Sequence, residues 1–166
     1  MKNSGVATLL WSGRAHNARG FSLVELMVAV AIVGIILAFA VPSLRDYMLR
    51  AGRSDAHVAL QRMAAAQERV YAQQSRYTDV ETQLGGNLSP EGLYTLSAVT
   101  GLWNGTDCST ATSDPDSTHA FTLIAQPTAA ASQAADADCT CIYMDSLGSR
   151  YANGAAAGGN SCWGGR

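Results

Sequence analysis

From Phe21 to Val41 the chain is apolar almost without a break, and past Pro42 single apolar residues recur at the spacing of one helical face. An α-helix rises about 1.5 Å per residue, so the first run is about 30 Å long, enough to cross the hydrocarbon core of a bilayer. In the second part, Leu44, Met48, Ala51, Val58, Met63, Ala66 and Val70 follow one another at intervals of three to seven, which predicts an amphipathic helix. Arg45, Arg53, Gln61, Arg62, Gln67, Glu68 and Arg69 fall on its wetter positions. Gly34, Pro42 and Gly52 are poor interior residues. Proline removes a backbone donor at a cost of about 3 kcal/mol, so a kink is expected near residues 38–42. Together the two patterns predict one long helix from about 22 to 75.

Beyond it, Gly85-Gly86-Asn87 and Ser89-Pro90-Glu91-Gly92 read as loop. Three stretches rich in Tyr, Thr, Val, Ile and Phe then predict strands at Leu93–Thr100, His119–Gln126 and Cys139–Asp145, with a short fourth at Ser149–Tyr151. Residues 101–118 and 127–138 read as polar or alanine-rich turns, and the glycine-rich tail from Asn153 to Gly165 as coil. A long helix followed by strands predicts an α+β fold, with a small antiparallel sheet against the second half of the helix.

Charge divides at the same place. Residues 1–20 hold Lys2, Arg14 and Arg19 and no acid, so with a total of −2 the remainder carries −5. An acidic head argues against a nonspecific nucleic-acid binder, whose affinity comes from cations on phosphates. Arg76, Arg150 and Arg166 can still gather into a local basic patch. The basic start predicts a cytoplasmic N-terminus and a domain across the inner membrane. Four cysteines, Cys108, Cys139, Cys141 and Cys162, beyond such a span point to disulfides in an oxidising compartment. A zinc site fits less well, because Cys139-Thr140-Cys141 is a C-x-C and the histidines are scattered.

Glu25 is the anomaly. A carboxylate at the centre of a span costs roughly 2.5–3.5 kcal/mol, less near an end, and the nearest cations in sequence are Arg19 and Arg45. A cut between Gly20 and Phe21 creates an α-ammonium four residues from Glu25, on its helical face or within reach of a neighbouring copy. The segment Gly20-Phe21-Ser22-Leu23-Val24-Glu25-Leu26, with the apolar helix after it, resembles the class III signal of type IV pilins. That resemblance implies cleavage by a prepilin peptidase after Gly20, methylation of Phe21, and a role for Glu25 in docking subunits. It also makes the helix around Gly34 and Pro42 a segment able to unwind during assembly, beside the plainer reading of a proline bend at a membrane boundary.

Further along, "QERVYAQQSRYT", "LYTLSAV", "AFTLIAQP", "LGSRYANG" and the late "CW" are similar to minor pilins of the PilE type. The implied organisation is a leader at 1–20, a transmembrane and assembly half of the helix at 21–43, and a periplasmic or extracellular head at 44–166. The resemblance pairs Cys139 with Cys162 and leaves Cys108 with Cys141. Residues i and i+2 share a strand face, so the two assignments can be exchanged. The expected partners are the inner membrane, prepilin peptidase, other pilins and the pilus assembly machinery, with the fibre as the final location. DNA is a less favoured partner.

Enzymatic constellations are not evident: G-x-S-x-G, H-E-x-x-H and P-loop patterns do not occur. Neither catalysis nor a cofactor or metal is expected. Asp114, Asp116, Asp136 and Asp138 read as acidic turns rather than a calcium loop. Trp103 and Trp163 read as core aromatics before ligand contacts. The expected function is a minor pilin that starts or enters a type IV pilus. The alternatives are a pilin-like DNA receptor or adhesin, and a type II secretion pseudopilin.

Overall fold

In the computed structural model, which describes residues 20–102, 118–153, 155–156 and 161–164, a single α-helix, α1, runs from Leu23 to Gln74. It continues through Pro42. The chain divides into two units, Met1–Val41 and Pro42–Arg166. In the first, the described side chains are all exposed, and α1 contains a stretch with a mean hydropathy of 2.8 and none of it buried. Such a surface is stable only against other apolar groups, as in a bilayer or a helix bundle.

In the second unit the helix becomes amphipathic. Ala56, Ala59, Leu60, Met63, Ala66 and Val70 enter one core with Tyr94, Leu96, Phe121, Leu123, Ile142 and Met144 of the sheet. This buried stripe starts later than the spacing predicts, since Leu44, Met48, Ala51 and Val58 are exposed. Arg53 and Gln67, expected on the wet side, are buried. Each is admitted because its polar atoms find partners on distant segments. Gln67 donates Nε2 to the Thr78 carbonyl and accepts from the Thr78 N–H, pinning the chain as it turns away from the helix.

The sheet is an antiparallel meander in chain order: β1 (Tyr94–Thr100), β2 (Phe121–Pro127), β3 (Ile142–Asp145), β4 (Arg150–Ala152) and the two-residue β5 (Ala155–Ala156). β1 alternates between buried and more exposed positions, the signature of a strand with one face on the core. Central β2 is buried over Phe121–Ala125. Its Leu123 joins the helix-facing core, whereas Ile124 packs with Cys141 and Tyr143 on the other face. The α+β expectation therefore describes the architecture.

Strand ends differ by at most three residues from the expected ones. Cys139–Cys141 stay outside β3, because side chains take their backbone donors, Asp136 that of Cys139 and Asn153 those of Thr140 and Cys141. Asn153 Oδ1 accepts from Thr140 and Cys141 N–H at 2.8 and 3.3 Å. The β3–β4 turn is built on Asp145, whose Oδ1 accepts from Leu147 and Ser149 N–H. Gly148 there has a φ of 78°, which glycine adopts without the Cβ penalty.

Candidate functional site

Gly20 and Phe21 precede the first helical turn and are exposed, Phe21 at 83%. Glu25 lies in the first turn of α1, also exposed. The first N–H groups of a helix have no intrahelical acceptors, and a carboxylate there is favoured by the macrodipole. Leu26 N–H donates to Ser22 at 3.1 Å, so the helical ladder begins immediately after the expected cut. Gly34 and Pro42 lie inside α1, and a Cβ added at Gly34 would meet nothing within 4 Å.

A second constellation fastens the tail to the helix. Arg53 Nε and Nη2 donate to Asp136 Oδ2 and Oδ1 at 2.7 and 2.8 Å, and Nη1 donates to the Ser161 carbonyl at 3.4 Å. The paired carboxylate raises the guanidinium pKa further, against the effect of burial. Asp136 also accepts from Gln133 Nε2 at 2.9 Å and Cys139 N–H at 3.3 Å, so this buried charge is fully engaged. Cys139 and Cys162 form the expected disulfide. Cys141 is disulfide-bonded as well, and its expected partner Cys108 lies outside the described residues.

One turn along α1 from Arg53, His57 stacks on Trp163, with ring centroids 4.7 Å apart and planes 6° from parallel. Its Nε2 lies 2.8 Å from the Cys162 carbonyl and donates to it. Burial lowers the His57 pKa, and Arg150 and Arg53 lower it further against that hydrogen bond. Trp163 donates Nε1 to the Tyr151 carbonyl, and the Arg150 guanidinium stands 5.1 Å from its ring centroid. Trp163 is thus a tail anchor. Trp103, Asp114, Asp116 and Arg166 lie outside the described residues.

Arg62 and Arg69, both exposed, line one cleft with Leu84, Gly85 and Leu96, and neither forms an ion pair among the described residues. Arg76 lines another cleft with Val80 and Thr118, apart from the Arg150–Trp163 contact. No group of three potential metal ligands occurs among the described residues. Sequence spacing missed the Arg53–Asp136 and His57–Trp163 pairs. The available signal was phase: Arg53 stands three residues before Ala56 and seven before Leu60, in register with the buried stripe.

Comparison with known families matches residues 42–144 to "Type IV minor pilin ComP, DNA uptake sequence receptor" and residues 15–41 to "Prokaryotic N-terminal methylation motif". The type IV major pilin protein PilA of Myxococcus xanthus is 37% identical over 67 residues, 40% of this chain and 30% of that protein. A fimbrial protein of Neisseria meningitidis serogroup B is 36% identical over 73 residues, 44% of this chain and 43% of its own. FimA of Dichelobacter nodosus is 56% identical over 32 residues, 19% and 20% of the two chains. The chain spans less than half the length of each of these relatives.

Proposed function

The chain belongs to the ComP family of type IV minor pilins, and from that premise we propose that it is a pilus subunit made as a precursor and cut between Gly20 and Phe21. The leader is residues 1–20. Phe21 becomes the methylated terminus, residues 21–43 anchor the protein in the inner membrane before assembly, and 44–166 form the head on the periplasmic side and later on the fibre. The processing partner is prepilin peptidase, and the assembly partners are other pilins and the pilus machinery. The role is structural.

The observation that carries this reading is Glu25 in the first turn of a helix whose apolar side chains through Val41 are all exposed. A carboxylate among such side chains needs a cation, and the new Phe21 ammonium stands one helical turn away, on the same chain or on a neighbour. Docking one subunit's helix beside another's supplies that pair without a water-facing charge. Glu25→Ala is therefore expected to leave cleavage largely intact and to abolish assembly. Normal piliation in a complementation assay would remove the proposed role of the carboxylate.

The family's description favours a second reading, a DNA receptor carried on the fibre. Arg62 and Arg69, without ion pairs among the described residues, and Arg150 over Trp163 support it locally, while the net charge of the head opposes it. A gel shift of the 44–166 head on duplex DNA over a salt series tests this. A receptor loses affinity steeply with salt, because neutralising phosphates releases counterions.

A further inference from the structure

The last described turn of the tail rests on a titratable ring. His57 of α1 stacks on Trp163 with ring centroids 4.7 Å apart and donates Nε2–H to the Cys162 carbonyl at 2.8 Å. Trp163 in turn donates Nε1–H to the Tyr151 carbonyl of β4 at 2.8 Å, with the Arg150 guanidinium 5.1 Å from its ring centroid. Cys162 is fixed separately, by its disulfide to Cys139. Trp163 stands one residue past that bond and is docked by noncovalent contacts.

A neutral His57 uses Nε2–H for the carbonyl, so the next proton goes to Nδ1 and makes the ring a cation. The half-buried position penalises that cation, and Arg150 from β4 and Arg53 from α1 repel it. Arg50 and Asp138 border the same cleft. Asp138 is the acid placed to offset the arginines, but its side chain is 80% exposed and already stands 3.8 Å from Arg53. Asp136 is engaged by two hydrogen bonds from Arg53. An indole face attracts cations, yet this one already faces Arg150. Moving Trp163 away opens the ring to water and removes the penalty. We propose that protonation of His57 releases Trp163 from α1 and β4, an acid-operated latch on a head that otherwise stays folded. The core does not depend on the ring, because Ala56, Leu60 and Met63 of α1 meet Leu123 and Ile142 of the sheet in the main cluster. The docked ring's pKa is lowered from 6.5, chiefly by burial, so docking is strongest above pH 6.5 and weakens as pH falls through the lower docked value. Each unit of lowering changes the docking equilibrium by about tenfold.

The test is hydroxyl-radical footprinting of the full chain in detergent near pH 7 and near pH 5, at matched radical dose, with oxidation read residue by residue by mass spectrometry. Trp163 oxidation is expected to rise several-fold in acid, while buried Met63 stays protected. The midpoint of that rise should coincide with the titration of the His57 ring followed by NMR. His57→Gln keeps a donor for the Cys162 carbonyl but has no site for the proton, so its Trp163 should be oxidised equally at both pH values. Equal oxidation of wild-type Trp163 at both pH values, a midpoint away from that of His57, or the same acid response in His57→Gln overturns the inference. A rise at Met63 together with Trp163 also overturns it, because the whole head would then be opening.

Discussion

Arg53 and Asp136 are joined by two charge-assisted hydrogen bonds of 2.7 and 2.8 Å, with both residues buried and 83 positions apart in sequence. Their pair ties α1 to the segment that leads into Cys139 and the tail. Removing one partner of such a pair leaves a buried charge and costs about 3–5 kcal/mol. Asp136→Asn should therefore lower head stability by that order in urea melts, while Arg53→Met with Asp136→Leu should cost less than either single change. Two single changes that add within error would deny the coupling.

Gly52→Ala tests a close approach. Alanine is favoured over glycine in a helix by about 1 kcal/mol. A Cβ here, however, would lie 2.3 Å from Gln133 Oε1. Gln133 is buried and held by donation to the Leu49 carbonyl and Asp136, so it cannot easily retreat. Overpacking costs about 1–3 kcal/mol, so the substitution should destabilise the head despite its helix propensity. A raised melting temperature would show that Gln133 yields.

The Cys139–Cys162 bridge spans a sequence separation of 23. Closing such a loop removes unfolded-state entropy worth about 3 kcal/mol. The paired Cys139→Ala, Cys162→Ala variant should unfold at correspondingly lower urea. Trp163 fluorescence should report loosening of the tail before global unfolding. An unchanged midpoint would mean that the Arg53 and His57 contacts suffice.

His57 makes head stability sensitive to mild acid. Its pKa is lowered from 6.5 in the fold, chiefly by burial, so the unfolded chain takes up the proton first. Its contribution is fully present above pH 6.5 and is lost as pH falls from there through the lower folded value. Arg150 and Arg53 oppose the new charge, while the Cys162 carbonyl tolerates it. Melting temperatures of the wild-type head should drop between pH 7 and 5 more than those of His57→Gln. Parallel curves would exclude His57 as the titrating group.

Much of this architecture is written in local patterns. The apolar run and the spacing after it predict α1 to within a residue at each end, and β-branched and aromatic stretches mark β1 to β4. What local patterns do not contain is the partner of a polar residue. Arg53 and Gln67 look like solvated positions until Asp136 and Thr78 are brought against them. Likewise β3 starts late because Asn153, in a left-handed conformation with a φ of 50°, diverts the donors of Thr140 and Cys141. The expectation at Gly20, Phe21 and Glu25 rests on a contiguous motif joined to a charge anomaly. The anchoring of Trp163 depends on tertiary contacts with α1 and β4, which spacing does not encode.

We propose that this chain enters a fibre after cleavage at Gly20, with Phe21 as the new terminus. Mass spectrometry of the N-terminal peptide from the membrane-extracted protein tests it most directly. A peptide beginning at methylated Phe21 is expected, present in cells with an active prepilin peptidase and lost when the peptidase is removed. A peptide still containing Arg19-Gly20-Phe21 in peptidase-competent cells would contradict it and leave a plain membrane anchor.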